Sequence, residues 1–336
     1  MSPRSDIRLS VPSKGVLADA ALSFLAACGL EVYKPNPRQY EARIPVLPGL
    51  TVLFQHPGDI VVSVRDGSVD FGITGLDMVA ELGGTNGAIL MLHDALGFGQ
   101  CSLRLAVPEA WESVQTVAGL AEHVRSLDRP VRVATKFPNL TGEFLRQHGI
   151  GPFALIRVEG TLEVAPAIGY ADMISDLVSS GLTLRDNRMR ALDDGAILSS
   201  QAVLVSHRRS LRDRPEVLAI ARMVLEVIEA HLRAVDRVSI FANMRGKSAE
   251  EIAARMFERA GLSGLQGPTV SQVVVRDGSA NWYAAHIVVQ RDQLFQVVSE
   301  LRAIGGSGVV VAPVTYIFEE EPARYRAMME ALNGGA

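Results

Sequence analysis

Residues 169–184 read GYADMISDLVSSGLTL, an apolar run that carries two aspartates and ends in a hydroxyl- and glycine-rich turn. In an extended strand the side chains alternate between two faces, so Asp172 and Asp176 point the same way and offer acceptors to a vicinal diol. The same spacing also fits a solvated strand face or one face of a helix. The turn that follows favours the diol.

The turn at residues 179–183 is suited to an anion. A helix beginning near Thr183 would direct backbone amide groups and the positive end of its dipole at a phosphate, and Gly181 lets the backbone approach closely. Ser179 and Ser180 add hydroxyl donors. Carboxylates for a diol and amides for a phosphate together predict a ribose-5-phosphate ligand.

A nine-residue pattern occurs twice, as DFGITGLDM at residues 70–78 and as DLVSSGLTL at residues 176–184. Each copy has an acid, three mostly apolar residues, a hydroxyl residue, glycine and leucine, which predicts a strand ending at a turn that opens a helix. Chance similarity over so short a stretch is the alternative. We interpret the repeat as two lobes of related construction that face a cleft.

The periodicity of the chain also predicts where each part begins and ends. Residues 162–168 are predicted to be helical, and a short strand at 202–205 is expected to return the chain to the first lobe. The predicted divisions are lobe 1 at 1–106 and 194–212, lobe 2 at 107–193, and a linker helix at 213–236.

From residue 238 onward the pattern changes to βαββαβ. A capping box beginning at Ser248 opens the first helix, and residues 276–279 are a hairpin signal between the second and third strands. This order predicts a ferredoxin-like domain at 237–320, followed by a C-terminal tail at 321–336.

Composition narrows the class of protein. The 336 residues are 48% hydrophobic and 21% charged with a net charge of −4, which is an ordinary folded chain without the positive field that nucleic acids require. The N-terminus lacks a signal-peptide core, and Cys28 and Cys101 suggest no disulfide framework, so we expect a cytoplasmic protein with neither membrane nor nucleic-acid partners.

Several kinds of catalytic site lose support. The seven histidines show no metal-ligand spacing, and neither a nucleophile elbow, a Walker loop nor a dinucleotide fingerprint is present. We therefore assign no residue as nucleophile or acid/base.

Further motifs accompany the 169–184 run along nearly the whole chain: VPSKG at 11–15, DFGITG at 70–75, LGFGQC at 96–101, ATKFPNL at 134–140, EGTLE at 159–163 and GPTV at 267–270. With these motifs the chain resembles the ATP phosphoribosyltransferases, the first enzymes of histidine biosynthesis, in their long form with a C-terminal regulatory domain. Residues 243–247 (NMRGK) are more similar to the plant-type variant of that domain.

The resemblance implies a fold and a reaction. The fold is α/β, with a two-lobed, periplasmic-binding-protein-like (type II) catalytic region and a ferredoxin-like (ACT-like) regulatory domain. In the reaction, N1 of the ATP adenine attacks C1 of phosphoribosyl pyrophosphate (PRPP) and displaces pyrophosphate. Such a transfer requires no protein nucleophile, only orientation of two polyanions and stabilisation of the leaving group.

The resemblance also implies the residues that bind PRPP and a metal ion. Mg²⁺ is the expected cofactor, with Glu159 and Asp176 as candidate ligands, directly or through water, and Glu163 as a weaker candidate. The expected PRPP-binding residues are Glu159, Gly160, Asp172, Asp176, Ser179, Ser180, Gly181, Leu182 and Thr183.

A second group of residues is expected to bind ATP or a phosphate. Lys14 and Lys136 lie in loops after predicted strands, where the ligand crevice of α/β sheets is found, although each also fits a solvated loop lysine. Many family members have arginine where this chain has Val16, so Arg38, Arg65 or Arg104 is a candidate substitute. The expected set is Lys14, Gly15, Arg65, Thr74, Gly75 and Lys136, with a helix cap as the alternative role of Thr74 and Gly75.

Regulation is expected in the ferredoxin-like domain. The resemblance implies feedback inhibition by histidine, with Thr269 and Gly308 in the effector site. It also implies a homo-oligomer, from dimer to hexamer, that needs no separate regulatory subunit.

Two hypotheses of other classes stay open. One is a two-lobed sensor that closes on an anion or nucleotide without chemistry, although its usual exported form needs a signal peptide. The other is a regulatory paralogue without turnover, for which Val16 is the relevant feature. Pyrophosphate release from ATP and PRPP separates both from the enzyme.

Overall fold

The computed structural model describes residues 6–36, 39–158, 160–275 and 281–334, and within them the chain divides into two units, Met1–Leu225 with Ala323–Ala336 and Glu226–Pro322. None of the described helices has the length and apolar character needed to cross a bilayer.

The first unit alternates strands and helices, with two sheets that correspond to the predicted lobes. Its elements in chain order are β1 (Ile7–Pro12), α1 (Val16–Ala27), β2 (Glu41–Arg43), β3 (Leu50–Gln55), α2 (Pro57–Arg65), β4 (Phe71–Gly75), α3 (Leu76–Leu82), β5 (Ile89–His93), β6 (Cys101–Pro108), α4 (Val117–Arg125), β7 (Val131–Thr135), α5 (Pro138–Gln147), β8 (Phe153–Arg157), β9 (Met173–Val178), α6 (Leu182–Asp186), β10 (Met189–Ser200), β11 (Ala202–His207), α7 (Arg208–Asp213) and the first part of α8 (Pro215–Ala234), whose residues from Glu226 onward belong to the second unit.

The lobe 1 sheet has the strand order β2-β3-β1-β4-β11-β5. Strand β1 is parallel to β3 and β4, and nearly all of its residues are buried, as expected for a central strand covered on both faces. Strand β11 pairs antiparallel with β4 and β5, which confirms that the chain returns to lobe 1 there.

The lobe 2 sheet has the order β10-β6-β9-β7-β8, with β7 parallel to β8 and β9. Its core packs Leu105, Leu120, Val133, Leu145 and Met173 together, all fully buried. The parallel strands β7 and β9 end at the same edge of the sheet. Their following loops therefore lie side by side and face the cleft between the lobes.

Two sequence predictions need correction in this unit. Strands β6 and β10 pair with each other in the lobe 2 sheet, so the chain crosses between the lobes at residues 94–100 and at Gln201, rather than at residues 106 and 194. Residues 162–168 form a short 3-10 turn at Leu162–Val164 followed by turns, not a helix, because Pro166 interrupts the segment.

The second unit contains β12 (Arg237–Arg245), α9 (Ala249–Phe257), β13 (Thr269–Gln272), β14 (Trp282–Gln290), α10 (Leu294–Ala303) and β15 (Ser307–Pro313). The strands are antiparallel in the order β13-β14-β12-β15, which confirms the ferredoxin-like prediction. Ser248 caps α9 through a 3.2 Å hydrogen bond from the amide of Glu251. The predicted hairpin turn at 276–279 lies outside the described residues.

A last helix, α11 (Ala323–Asn333), packs on lobe 1 of the first unit. Arg324 forms a 2.5 Å ion pair with Asp94, and Arg208 Nη1 donates to the carbonyl of Ala331 at 2.7 Å. The segment predicted as a C-terminal tail thus ends in a helix that covers the edge strand β5.

Candidate functional site

A cavity of about 390 Å³ lies between the two lobes. Lobe 1 contributes Leu17, Gly75 and Asp77 to its lining, and lobe 2 contributes Lys136 and Asp176, with further lining from the crossing segment. Gly75 ends β4, Lys136 directly follows β7, and Asp176 lies near the carboxyl end of β9. Leu17 and Asp77 lie in the first turns of the helices that follow β1 and β4. This is the edge at which α/β folds bind their ligands.

The loop after β9 forms a smaller recess beside that cavity, with a volume of about 60 Å³. Asp176, Ser179, Ser180, Gly181 and Thr183 line it, so the structure brings five of the predicted PRPP-binding residues together. Gly181 has a φ of 71°, in the left-handed region that a β-branched side chain adopts only with strain. Leu182, also in the predicted set, is 56% exposed in the same loop.

The helix that follows this loop is shorter than the sequence suggests. Helix α6 has only five residues, so its dipole contributes less than the individual backbone amides and hydroxyl groups of the loop. Ser179, Ser180 and Thr183 are all exposed, and the Ser180 hydroxyl accepts a long 3.4 Å hydrogen bond from the amide of Leu182.

Asp176 is a partly buried carboxylate at the junction of the two cavities. Burial raises its pKa to about 6, and nearby Glu163 acts in the same direction, while the amide of Leu177 and the charge of Lys136 oppose the shift. The Leu177 amide donates to Asp176 Oδ1 at 2.8 Å. A desolvated carboxylate beside a lysine, facing a cavity, is typical of a binding site for a polar ligand.

Asp172 lies at the other end of the same strand, and the structure does not bring it to the cavities that Asp176 lines. It precedes the first residue of β9, and its carboxylate accepts from Arg129 Nη1 at 2.6 Å, from Arg132 Nη2 at 2.9 Å and from the amide of Arg132 at 2.8 Å. These bonds hold the pKa of Asp172 below its usual range, the Arg129 bond having the largest effect. Asp172 ties strands β7 and β9 together.

The two lysines predicted to meet phosphates differ in position. Lys136 follows β7, lines the cleft cavity and lowers the pKa of Asp176 by its charge. Lys14 is exposed in the loop after β1, next to Gly15, whose φ is 81°. Because Val16 and Leu17 line the cavity, Lys14 stands at its rim.

Three other predicted phosphate contacts are placed elsewhere by the structure. The Thr74 hydroxyl is fully buried and donates to the carbonyl of Pro57 at 3.0 Å, so only its neighbour Gly75 reaches the cavity. Helix α2 begins at the cavity, but Arg65 is its last residue and therefore lies at the far end of the helix. The Arg65 guanidinium donates to the carbonyl of Leu82 at 2.9 Å. Arg104 Nη2 donates to two backbone carbonyls of β10.

Sequence reasoning missed Asp77, which lines the cavity, and its hydrogen-bond partner Ser200, which does not line it. Asp77 is buried, and its pKa is raised by desolvation, while the Ser200 hydroxyl that donates to its Oδ1 at 2.5 Å works against the shift. The amide of Asp77 donates in turn to Ser200 Oγ at 3.0 Å. The internal repeat contained a signal for Asp77, since it occupies the position that Thr183 has in the second copy.

Candidate metal ligands are sparse among the described residues. Within the described ranges no group of three or more histidine, cysteine or acidic side chains could hold a metal ion. Asp176 fits a Mg²⁺ ion that is held mainly by substrate phosphates and water, because such sites need only one or two carboxylates. Glu159 lies outside the described residues, as does Arg38, and Gly160 is exposed.

The two predicted effector residues lie on one face of the sheet in the second unit, but not side by side. Thr269 pairs with His286 at one edge, and Gly308 lies on the opposite edge strand next to Asn243. Three strand spacings separate them, about 14 Å. Between them Phe241 stacks on His286 with ring centroids 4.3 Å apart.

Comparisons with known proteins extend over the same regions. A family model described as ATP phosphoribosyltransferase matches residues 56–229, and one described as the HisG C-terminal domain matches residues 234–316. ATP phosphoribosyltransferase 2, chloroplastic, of Arabidopsis thaliana is 45% identical over 335 residues, covering 98% of this chain and 81% of that protein. ATP phosphoribosyltransferase of Rhodopseudomonas palustris is 34% identical over 319 residues, 93% of this chain and 94% of that protein.

A solved structure gives the same fold. The ATP phosphoribosyl transferase (HisG:HisZ) complex of Thermotoga maritima matches with a TM-score of 0.52 and 23% identity, covering 66% of this chain and 98% of that one. At that identity the likeness supports the two-lobed fold and nothing finer.

Proposed function

We propose that the chain joins N1 of the ATP adenine to C1 of PRPP and releases pyrophosphate, because it belongs to the ATP phosphoribosyltransferase family. The single observation that carries the site assignment is the convergence of Asp176 and the 179–183 loop on a cleft between two lobes. The predicted family and reaction are supported by relatives that match 98% and 93% of this chain.

The loop and Asp176 bind the ribose-5-phosphate part of PRPP. The hydroxyl groups of Ser179 and Thr183 and the backbone at Gly181 hold the 5′-phosphate, because small residues let the anion approach the main chain. The Asp176 carboxylate accepts hydrogen bonds from ribose hydroxyls. With a pKa of about 6 it is mostly ionised near neutral pH and fully ionised in mildly basic solution.

Lysines on both sides of the cleft bind the more highly charged groups. Lys136 is placed to meet the pyrophosphate leaving group, and Lys14 at the rim is placed to meet a phosphate of either substrate. The transfer passes through a cationic sugar and consumes no protein nucleophile. The protein therefore acts by orienting two substrates in one cavity and by placing fixed charges around them.

Mg²⁺ is the proposed cofactor. Among the described residues Asp176 would contact it, with Glu163 of the same recess as the weaker candidate, and Glu159 is the further candidate outside the described residues. When bound, the ion neutralises charge on the pyrophosphate.

The same proposal includes inhibition by histidine at the sheet face that bears Thr269 and Gly308. It also includes assembly into a homo-oligomer that needs no separate regulatory subunit. At a separation of about 14 Å one histidine is too short to contact both residues of the same sheet, so the proposed effector bridges one of them to another chain. The cytoplasmic location stays a prediction.

Pyrophosphate release tests this function. The purified chain should release pyrophosphate only when ATP, PRPP and Mg²⁺ are all present, and each omission should abolish the signal. Tight binding of either substrate with no release would instead support the sensor or the paralogue. A second series with added histidine tests the inhibition separately.

A further inference from the structure

The end of α3 in lobe 1 and the start of α5 in lobe 2 are joined by three hydrogen bonds. The carboxylate of Glu81 accepts from the amide of Asn139 at 2.9 Å with one oxygen and from the amide of Leu140 at 3.0 Å with the other. Asn139 Nδ2 donates to the backbone carbonyl of Glu81 at 3.1 Å. Glu81 is only 6% exposed, so the contact is largely shielded from water.

Helix α5 depends on this contact because its own sequence supplies no cap. The residue before the helix is Phe137, which offers no side-chain hydrogen bond, and Pro138 is the first helical residue. The amides of the first turn have no partner within a helix and need one from elsewhere. Helix α4 differs, since Thr116 and Asp194 cap it from within lobe 2, with the amide of Val117 donating to Asp194 Oδ1 at 2.7 Å.

Both helices begin at the proposed active site. Helix α3 follows Gly75 and carries Asp77 on the lobe 1 wall of the cavity, one turn before Glu81 on the same helix face. Helix α5 follows Lys136, which belongs to the lobe 2 wall. A contact between these two helices therefore sets the gap across the cavity. Opening the lobes would leave a buried carboxylate and two amides without their partners.

We propose that Glu81 is a positioning residue, an interlobe latch that holds the two walls of the cleft at the spacing needed to bind both substrates. The proposal rests on the proposed function and adds a residue to it that contacts neither substrate. The latch has a second consequence. Helix starts at this edge commonly bind phosphate, and Glu81 already occupies the start of α5. Substrate phosphates are thereby left to Lys136 and to the 179–183 loop.

Hydrogen–deuterium exchange of the full chain tests the latch without any need for turnover. Glu81→Gln keeps the shape of the side chain but presents an amide group to one of the two donors, and Glu81→Ala removes both acceptors. Exchange in the peptide covering residues 138–145 should become at least about tenfold faster in the alanine variant, with a smaller rise in the glutamine variant. Asp194→Ala is the matched control, because it removes the acceptor of the Val117 amide, and it should affect residues 117–124 instead. Unchanged exchange at 138–145 in Glu81→Ala would overturn the latch even if the parent showed no turnover.

Steady-state pyrophosphate release then separates positioning from simple loss of structure. Glu81→Gln should raise the KM for ATP and for PRPP by about tenfold while kcat changes less than about threefold. The reason is that part of the binding free energy of the substrates is then needed to hold the lobes closed. Asp194→Ala should leave both KM values within about twofold of the parent. A fall in kcat with unchanged KM in Glu81→Gln, or normal kinetics together with faster exchange, would show that Glu81 caps a helix and does not position the cleft.

Discussion

The two ends of strand β9 carry the same side chain in opposite environments. At the amino end, Asp172 accepts hydrogen bonds from Arg129 and Arg132, and its pKa falls. At the carboxyl end, Asp176 is partly buried beside the cleft, receives a single backbone hydrogen bond, and has a pKa raised to about 6. Asp172 stabilises the sheet, whereas ionisation of Asp176 is unfavourable at the position where a ligand is expected.

One sequence motif therefore contains an aspartate with a structural role and an aspartate with a proposed binding role. In a parallel strand followed by a loop, the carboxyl end faces the ligand crevice and the amino end faces away from it. A carboxylate whose ionisation is unfavourable at the carboxyl end of a strand indicates a functional site, because such a carboxylate does not stabilise the fold. A carboxylate fully satisfied by arginines is a sign of sheet architecture.

The largest expected effect is on turnover. Asp176→Asn should lower kcat/KM for pyrophosphate release by at least about 100-fold, the scale for losing a positioned electrostatic contact. Gly181→Val should do the same by a different route, because a β-branched side chain strains the positive φ and obstructs the phosphate. Circular dichroism checks that both variants fold, and near-normal kinetics in both would remove the loop from the active site.

The next effect concerns stability and pH at Asp176. Because its folded pKa of about 6 exceeds the unfolded value of 3.8, the folded state loses stability as pH rises through that window, by up to about 3 kcal/mol. Asp176→Asn should therefore increase the free energy of unfolding above about pH 6 and lose this advantage below about pH 4. Urea titrations at several pH values measure the difference. A variant less stable than the parent in mildly basic solution would show that the carboxylate is not desolvated.

Asp172 should behave with the opposite sign. Its lowered pKa means that the ion pairs contribute stability above the unfolded pKa, and this contribution is lost as pH falls toward the folded value. Asp172→Asn should cost about 1 to 2 kcal/mol near neutral pH, a modest figure because Arg129 and Arg132 are 52% and 37% exposed. The same urea titrations apply, and no loss of stability would return Asp172 to the list of ligand contacts.

The smallest effect compares two lysines. Lys136→Ala should weaken substrate binding by about tenfold and Lys14→Ala by less, because Lys136 lines the cavity whereas Lys14 is exposed at its rim. The effect of Lys14→Ala should shrink further at high salt, since exposed charges are screened. Apparent KM values for both substrates at two ionic strengths provide the measurement. Equal, salt-independent effects would place both lysines in the same enclosed site.

The sequence predicted those features that depend on neighbours along the chain. The strand, the hydroxyl-glycine turn and the position of Asp176 all lie within one short segment, and periodicity and turn chemistry sufficed to bring them together. The ferredoxin-like order of the second unit followed from the same kind of pattern.

Sequence reasoning did not anticipate environments that a distant segment decides. The arginines that bind Asp172 lie 40 and 43 residues before it, and the carbonyl that binds the Thr74 hydroxyl belongs to another element. Glu81 contacts amides 58 and 59 residues away, in the other lobe. Such contacts exist only once the chain is folded. No local pattern distinguishes these side chains from solvated ones.

Calorimetric titration of PRPP with Mg²⁺ present compares the two ends of β9 as binding sites without requiring turnover. We expect Asp176→Asn to weaken PRPP binding by at least about tenfold, and Asp172→Asn, assayed where it remains folded, to bind PRPP within about twofold of the parent. Equal weakening in both variants, or weakening only in Asp172→Asn, would contradict the assignment of the carboxyl end of β9 as the sugar-phosphate site.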